Sequence, residues 1–577
     1  MGSRHAGMAF RHAATVAARA RTSVRLVLPL LVLAVLAVCS SGCGASSDSA
    51  AAAAGDQTPR RGGTVWMETA QEPPILNSYL AAGGMSITDV VTTPMRSTWI
   101  TIDDHGRWAP LLATSVPTVA NGGVTRRPDG GMQVDFHIQP AAVWSDGVPI
   151  TCSDLAFTWK TVMDPRWSIG SRIGWELVDH VECPTPKQAR IVMREAFAPY
   201  LTTLLATSPL PRHELAGKDF NTVWNNRITV SSGPFIFEKW DRGDRLTLRR
   251  NPRWWRAGSE RKPYLDHVVI RFVPDSSTLK LDLRMGDADV VGIPPDTNLP
   301  AELAAIPTAQ FAVKPGAGWE NLTFNTRRFP FDDARVRRAA AFAIDRNALV
   351  DVVLKKQVPR LDSTLLPYQA PYYRPSFGTY HRDQGEVDRR MRAAGWTRGE
   401  HDRWTDRDGR VAKVLITTMS GNPIRLKAVQ LVAAQLDAAG FAAEILLVKP
   451  EVFFGSIVAK GSFDLALYSF TQGLDPSQSK LFSCSQIARA PTWAGKNNAK
   501  YCRPDLDVLL AQADRELDVH RRADITHDID ELLVTDLPTL PLYEQPDTLA
   551  WSRRLHGVRP NAMGHHLWNL DEWWLAR

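Results

Sequence analysis

Residues 132–165 read MQVDFHIQPAAVWSDGVPITCSDLAFTWKTVMDP and carry the clearest structural pattern in the chain. Apolar and polar residues alternate over the first seven positions, which predicts a half-buried strand. The WSDG segment is typical of a turn, and Thr151 with Asp154 three residues later forms a capping pattern that begins a helix. Apolar residues then recur at helical spacing as far as Pro165. The stretch therefore predicts a strand, a turn and a helix in succession.

Strands and helices alternate in the rest of the chain as well. Apolar residues from Leu426 to Leu436 share one helical face, and Gly440 ends that helix. The run from Phe441 to Val448 predicts a buried strand, and Phe463–Tyr468 predicts another. This alternation indicates an α/β or mixed α+β fold, and 577 residues are enough for more than one core.

Residues 1–42 are predicted to be a lipoprotein signal peptide. A basic segment with five Arg and no acidic residue precedes an apolar run, 26–38, that is too short to span a bilayer comfortably. The small residues 40–42 then lead to Cys43, an order that resembles the bacterial lipoprotein cleavage site. Cys43 would be the lipidated N-terminus, and plain secretion is the alternative. Residues 43–59 are predicted to be a flexible tether, with the protein on the outer face of the cytoplasmic membrane.

The net charge of the chain comes mostly from this leader. Removal of its five Arg lowers the formal charge from +7 to +2. A nucleic-acid-binding role therefore loses its main compositional support. No second apolar run of about 18 residues follows, so the sequence predicts no transmembrane span in the mature chain.

Four cysteines remain beyond the leader. Their even number in an exported chain indicates two disulfides, most simply Cys152–Cys183 and Cys484–Cys502. A zinc site is the alternative, but no C-x-x-C or H-x-x-x-H spacing supports it. The sequence predicts no metal site and no cofactor.

Seven segments, in order from Gly62 to the C-terminus, resemble the family 5 extracellular solute-binding proteins, the peptide- and nickel-binding group of ABC import systems. The stretch quoted first looks like the most recognisable segment of that family. The other similar segments are Gly233-Pro234-Phe235, Asn251-Pro252-Arg253-Trp254-Trp255, Met285–Asp289, Phe324-Asn325 with 331–337 and 344–346, Ala394-Gly395-Trp396 and Leu540–Tyr543.

The resemblance implies a two-lobed flytrap in which a ligand bridges the lobes and favours their closed state. A monomer that catalyses no reaction and delivers its ligand to an ABC permease is expected. The hinge is expected at Phe272-Val273-Pro274 and Leu542-Tyr543. The expected divisions are 60–272 with 544–577 for lobe I, about 88–225 for a subdomain inserted in it, and 273–543 for lobe II.

The same resemblance suggests ligand contacts. In several peptide-binding members an Asp in lobe II pairs with the α-ammonium of the ligand, and counting back from Asp475-Pro476 places Gln472 there. Glutamine can hydrogen-bond an ammonium group but supplies no charge, so this departure from the family pattern weighs against a free-amine peptide. An ordinary loop role is the alternative for Gln472. The other residues expected near the ligand are Glu72, Phe272, Trp319, Asn321, Tyr468, Asp475 and Tyr543. Core packing is the alternative for the aromatic residues, and a turn carboxylate is the alternative for Glu72.

Peptides are the expected ligand, and a nickel chelate, haem or an oligosaccharide stays open because of Gln472. An exported hydrolase is a second alternative, although the chain has no G-x-S-x-G, H-E-x-x-H or P-loop motif. A third is a family member that has lost transport and serves as a scaffold in the envelope.

Overall fold

The computed structural model of the protein describes residues 58–258, 261–490, 493 and 495–576. The predicted leader, Cys43 and all but the end of the predicted tether lie outside these residues. No helix in the described part is both long and apolar enough to cross a membrane.

A mixed sheet of ten strands runs through the molecule, so the α/β prediction is confirmed. Parallel pairs lie near both ends of the sheet and antiparallel pairs join them in the middle. In spatial order the strands are Ala442–Val448, Lys413–Met419, Leu465–Thr471, Ala309–Phe324, Thr539–Ser552, Val290–Gly292, Thr64–Thr69, His267–Phe272, Arg245–Arg250 and Phe235–Asp241.

Two long strands at the centre of the sheet connect its halves. Ala309–Phe324 and Thr539–Ser552 pair antiparallel along most of their length, and we call them the crossing strands. At one end they adjoin Val290–Gly292, and at the other they adjoin Leu465–Thr471. Their register shifts between Pro315 and Trp319 and again at Glu320. A register shift bends and twists a strand pair, so the crossing strands are locally irregular where the two halves meet.

Separate hydrophobic cores cover the two halves. One core draws on residues between Val65 and Ile270 and on the C-terminal segment from Leu549 to Trp573. The other draws on residues between Leu322 and Tyr543. The helix Ser276–Met285 and the strand Val290–Gly292 belong to a third, smaller core beside the first. The lobe boundaries given above stay a prediction.

The quoted stretch folds as its pattern predicts. Its strand, Met132–His137, lies in a separate four-stranded sheet, and its helix spans Cys152–Met163. The Asp154 carboxylate accepts the Thr151 N–H at 2.9 Å, and its second oxygen accepts the Arg212 N–H at 3.0 Å. The strands of this four-stranded sheet are, in spatial order, Val124–Arg126, Met132–His137, Gln188–Met193 and Val178–Thr185. Among the described residues, two-stranded sheets pair Ile100–Ile102 with Trp108–Pro110, Thr397–Arg398 with Trp404–Thr405, and Leu555–His556 with Trp574–Leu575.

Helices lie between many strands of the long sheet along the chain. The predicted helix around Leu426 spans Pro423–Ala438, and Gly440 follows it with φ of +96°, a backbone conformation that favours glycine. The remaining α-helices are Ser86–Thr92, Cys152–Met163, Arg212–Leu215, Ser276–Met285, Leu299–Ala304, Ala334–Ala343, Arg346–Ala348, Gln384–Ala393, Pro450–Val452, Ser479–Phe482, Pro504–Arg515 and Val519–Asp536.

The prediction of a buried strand after Phe441 was wrong about burial. Ala442–Val448 is a strand, but it is the outermost strand of the sheet. Ile445 and Leu447 remain 38% and 42% exposed. A short apolar run does not distinguish an edge strand from a central one, because both satisfy the same local pattern.

Both predicted disulfides form in the structure. Cys152–Cys183 ties the start of the Cys152–Met163 helix to the neighbouring strand Val178–Thr185. Cys484–Cys502 closes the segment that precedes the helix Pro504–Arg515.

Candidate functional site

A cavity of about 610 Å³ lies between two walls that belong to different parts of the chain. Residues between Ser171 and Thr203, which come just before and just after two strands of the four-stranded sheet, form the first wall. Residues between Thr471 and Arg515 form the second wall. A volume of this size lies within the range of small-molecule and peptide-sized sites in proteins.

The second wall begins with a loop, 471–476, that is held from behind by backbone hydrogen bonds. The Gln472 N–H donates to the Ala317 carbonyl at 2.8 Å, and the Gln472 carbonyl accepts the Tyr368 hydroxyl at 3.2 Å. The Gln369 amide donates to the carbonyls of Gly473 and Asp475 at 3.1 and 3.0 Å. Because these contacts fix the main chain, the loop presents its side chains in a set geometry.

Gln472 lines the cavity, and Trp319 supports it from the core. The Trp319 indole N–H donates to Gln472 Oε1 at 3.2 Å. Trp319 is fully buried and packs against Phe470 with ring centroids 5.1 Å apart. The predicted role of Trp319 as a direct ligand contact stays a prediction, and the structure places it behind Gln472.

Asp475 also lines the cavity, but its carboxylate is already paired. Both oxygens accept from Arg522, each at 2.8 Å, and the side chains are 13% and 6% exposed. One oxygen also accepts the Ser477 N–H at 2.9 Å. A two-pronged pair of this kind is strong and directional, so Asp475 fixes the end of the loop to the helix Val519–Asp536.

Other charged groups line the cavity with different partners. Glu195 and Arg515, one from each wall, pair at 2.7 Å. Asp514 accepts the Ser479 hydroxyl at 2.6 Å, and burial raises the pKa of its carboxyl above the usual value. Lys480 also lines the cavity and makes no ion pair with a described residue. The cavity therefore offers hydrogen-bonding and charged groups of both signs.

The two walls touch at the edge of the cavity. The Ala198 N–H donates to the Asp514 carbonyl at 2.7 Å, beside the Glu195–Arg515 pair. Farther in, a Cβ atom placed on Gly473 would lie 3.2 Å from the methyl group of Thr202 in the first wall. Glycine at this position thus permits the close approach of the walls.

The remaining residues predicted near the ligand lie outside the cavity lining. The side-chain amide of Asn321 donates to the Tyr468 carbonyl at 2.7 Å, and the Tyr468 hydroxyl accepts from Asn498 at 2.8 Å. Glu72 accepts the Trp240 indole N–H at 3.0 Å and so holds a turn. Phe272 and Tyr543 are 8% and 1% exposed. Their ligand contacts stay predictions.

Sequence reasoning missed Asp514 and Arg515, which line the second wall, and Arg522, which pairs with Asp475. The first two lie on the helix Pro504–Arg515, and Arg522 lies on the next helix, 47 residues after Asp475. No local spacing signals such a pair. Only the three-dimensional fold could have identified it.

The structure offers no grouping of His, Cys, Asp and Glu for a metal ion among the described residues. The adjacent His565 and His566 serve different purposes. Burial lowers the pKa of His565 to about 3, whereas His566 Nε2 contacts the Asp547 carboxylate at 2.8 Å.

A buried carboxylate stands on one crossing strand behind the second wall. Glu544 is the register partner of Trp319 and is 3% exposed. It makes no ion pair with a described residue, and burial raises its pKa to about 7. The charged form of Glu544 therefore destabilises the folded protein.

Comparison with known proteins agrees with this architecture. The family model described as bacterial extracellular solute-binding proteins, family 5 Middle, matches residues 107–487. The chain belongs to this family. It is an extracellular solute-binding protein, and the family is not enzymatic. The recognition made from the seven segments is therefore confirmed.

Individual relatives extend the match over nearly the whole chain. The oligopeptide-binding protein AppA of Bacillus subtilis is 24% identical, over 97% of this chain and all of AppA. The oligopeptide-binding protein OppA of Mycobacterium tuberculosis is 26% identical, over 91% of this chain and 89% of OppA.

Solved structures show the same fold. AppA from Bacillus subtilis, in complex with a nonapeptide, has a TM-score of 0.75, and the alignment covers 90% of this family 5 chain and all of AppA. The periplasmic EDTA-binding protein EppA has a TM-score of 0.78, with coverage of 90% and 98%. The two-lobed binding-protein fold is thereby confirmed.

We predict that Arg522→Gln destabilises the protein by about 3 kcal/mol, because it leaves the mostly buried Asp475 carboxylate without its partner. Urea unfolding followed by tryptophan fluorescence measures this change. The double variant Asp475→Asn with Arg522→Gln removes both charges and should recover part of the loss. Equal losses in the single and double variants would contradict the pairing.

We predict that Glu544→Gln stabilises the protein at neutral pH and not in acid. In the unfolded chain the carboxyl loses its proton near pH 4.5, whereas in the folded protein it does so near 7. Stability of the wild type therefore falls as pH rises between these values, and the cost is constant above pH 7. The difference in unfolding free energy should grow from near zero at pH 4.5 to about 3 kcal/mol at pH 7.

The exposed Glu444 on the edge strand provides the control for this experiment. Glu444→Gln should change stability little at either pH. A constant difference between Glu544→Gln and the wild type across the pH range would contradict the assignment.

Proposed function

We propose that the protein binds an oligopeptide in the cavity between the two walls and delivers it to the permease of an ABC importer. The observation that carries the proposal is the cavity itself, which has walls from separate parts of the chain and lies where a closing motion would trap a ligand. Membership of the solute-binding family supports it. The similarity to AppA, an oligopeptide-binding protein whose solved structure holds a nonapeptide, supports it as well.

The proposal includes the expected lobes. Residues 60–272 with 544–577 form lobe I, which carries the inserted subdomain at about 88–225, and 273–543 form lobe II. The hinge of the proposal is Phe272-Val273-Pro274 and Leu542-Tyr543, the second of which lies on a crossing strand beside the register shift at Glu320. Ligand contacts present only in the closed arrangement would shift the population toward it, and the permease would recognise that state.

The protein binds its ligand without changing it. Two of the charged pairs at the cavity, Asp475–Arg522 and Glu195–Arg515, position the walls rather than activate a nucleophile. The first test therefore examines both binding and integrity of the ligand.

Native mass spectrometry of the full chain, expressed with its own leader, is expected to show a bound mass that denaturation releases as intact short peptides. Added peptides should raise the melting temperature. Recovery of cleaved products would contradict a purely binding role. A sugar, haem or chelate mass would replace the peptide, and an empty protein that no peptide stabilises would contradict the proposed function.

The Gly473→Val variant tests whether the cavity is the binding site. A larger side chain meets Thr202 and keeps the walls apart, so peptide affinity should fall about tenfold or more, which corresponds to about 1.4 kcal/mol. Gly455→Val is the matched control, because no atom lies within 4 Å of a Cβ at that exposed position. Equal affinities of the two variants would place the ligand elsewhere.

We further propose that Cys43 is lipidated and anchors the protein to the outer face of the cytoplasmic membrane. The basic leader, the apolar run and the small residues before Cys43 support this proposal. Cys43→Ser should move the protein from the membrane fraction to the soluble fraction, because the acyl chains supply the membrane affinity. A variant that stays with the membrane would contradict lipid anchoring at this cysteine.

A further inference from the structure

The side chain of Gln472 is buried in the cavity wall with only one of its two ends satisfied. The residue is 8% exposed, and Oε1 accepts the Trp319 indole N–H. Nε2 is inaccessible to solvent and has no hydrogen-bond partner among the described residues. Buried donors without an acceptor are rare, because such a donor costs the protein the free energy of its lost hydration.

The orientation of this amide is dictated by its neighbour. An indole N–H can only donate, so the glutamine must present its oxygen to Trp319. A flipped amide would bring two donors together and leave Oε1 without a partner. Trp319 cannot rearrange easily, because it is fully buried against Phe470. The amide nitrogen is therefore the end of Gln472 that has no partner among the described residues, on a side chain that lines the cavity.

The charged groups around the loop do not change which end of the Gln472 amide is free. The nearest loop carboxylate, Asp475, is paired with Arg522. Glu176, Asp507 and Asp514 also line the cavity and could attract a cationic part of a ligand, whereas Lys480 could attract an anionic part. None of these residues hydrogen-bonds to the Gln472 side-chain amide, so the polarity at Gln472 is that of its own N–H groups.

We propose that Gln472 binds a hydrogen-bond acceptor of the ligand, a carbonyl or carboxylate oxygen, and selects against an ammonium group at this position. The proposal rests on the proposed function and adds to it the orientation of the ligand. An acceptor oxygen completes the hydrogen bonding of Nε2 on closure. An ammonium group would meet N–H hydrogens that point toward it.

The decisive variant is Gln472→Glu, which keeps the shape of the side chain and its acceptor for Trp319 but replaces the free N–H donors with a charged oxygen. Isothermal titration of the full chain uses one library of alanine-rich tri- to pentapeptides in four terminal forms: free, N-acetylated, C-amidated and doubly blocked. Affinity for every form that the wild type binds should fall about tenfold or more in Gln472→Glu. Equal or tighter binding by this variant, above all of the forms with a free amine, would overturn the proposal.

Two further variants distinguish the loss of the N–H donor from the general effect of an added charge and from misfolding. Gln486→Glu adds the same charge to the lining of the same cavity and reports the general effect of that charge, which should be several-fold smaller. Gln472→Met removes the donor without adding a charge and should weaken binding about fivefold. Unchanged affinity in Gln472→Met would overturn the proposal even if Gln472→Glu failed to fold.

The four terminal forms also identify the source of the acceptor oxygen. Loss of affinity on C-amidation indicates the terminal carboxylate, whereas equal binding of amidated and free-acid forms indicates a carbonyl. Failure of the wild type to bind any form would overturn both this inference and the peptide ligand. Peptide binding that Gln472→Glu leaves unchanged would overturn the inference alone.

Discussion

The pairing of the two crossing strands is the constraint on which the rest of the structure depends. Ala309–Phe324 and Thr539–Ser552 are each long enough to contribute to both halves of one sheet, so two separate cores share a continuous hydrogen-bonded backbone. The register shifts near Trp319 fall where the pairing passes from one core to the other. The same shifts set which side chains face the cavity loop, because strand residues alternate between faces.

The crossing strands bury two carboxylates near their register shifts, Glu320 and Glu544, in different ways. We call this part of the crossing strands the junction. Glu320 is held by Arg425 at 2.6 Å and by the Ser469 hydroxyl, also at 2.6 Å, so its charge is compensated. Glu544 is the register partner of Trp319, not of Glu320, and has no such partner among the described residues. The paired carboxylate fixes the helix Pro423–Ala438 to the sheet. The unpaired one costs stability at neutral pH, so the junction is not built for stability alone.

Local patterns predicted the fold class and several of its elements, and little of the site. The Cys152–Met163 helix follows from apolar spacing and the Asp154 cap, both of which lie within a few residues. The exposure of Ala442–Val448 depends on which strands lie beside it, and no local pattern carries that information. Gln472 was found by its place in a recognisable segment. Its orientation depends on Trp319, 153 residues away in sequence.

The orientation of Gln472 illustrates how a packed core can set the polarity of a binding surface. A carboxylate prefers a donor whatever surrounds it, but an amide presents a donor or an acceptor according to which end the protein occupies. Trp319 contributes no atom to the cavity lining, yet its single N–H decides which end of Gln472 remains free. Because the indole is buried between the crossing strands and Phe470, this choice is fixed before a ligand arrives. Preference for one ligand group over another can therefore reside in residues that the ligand never touches.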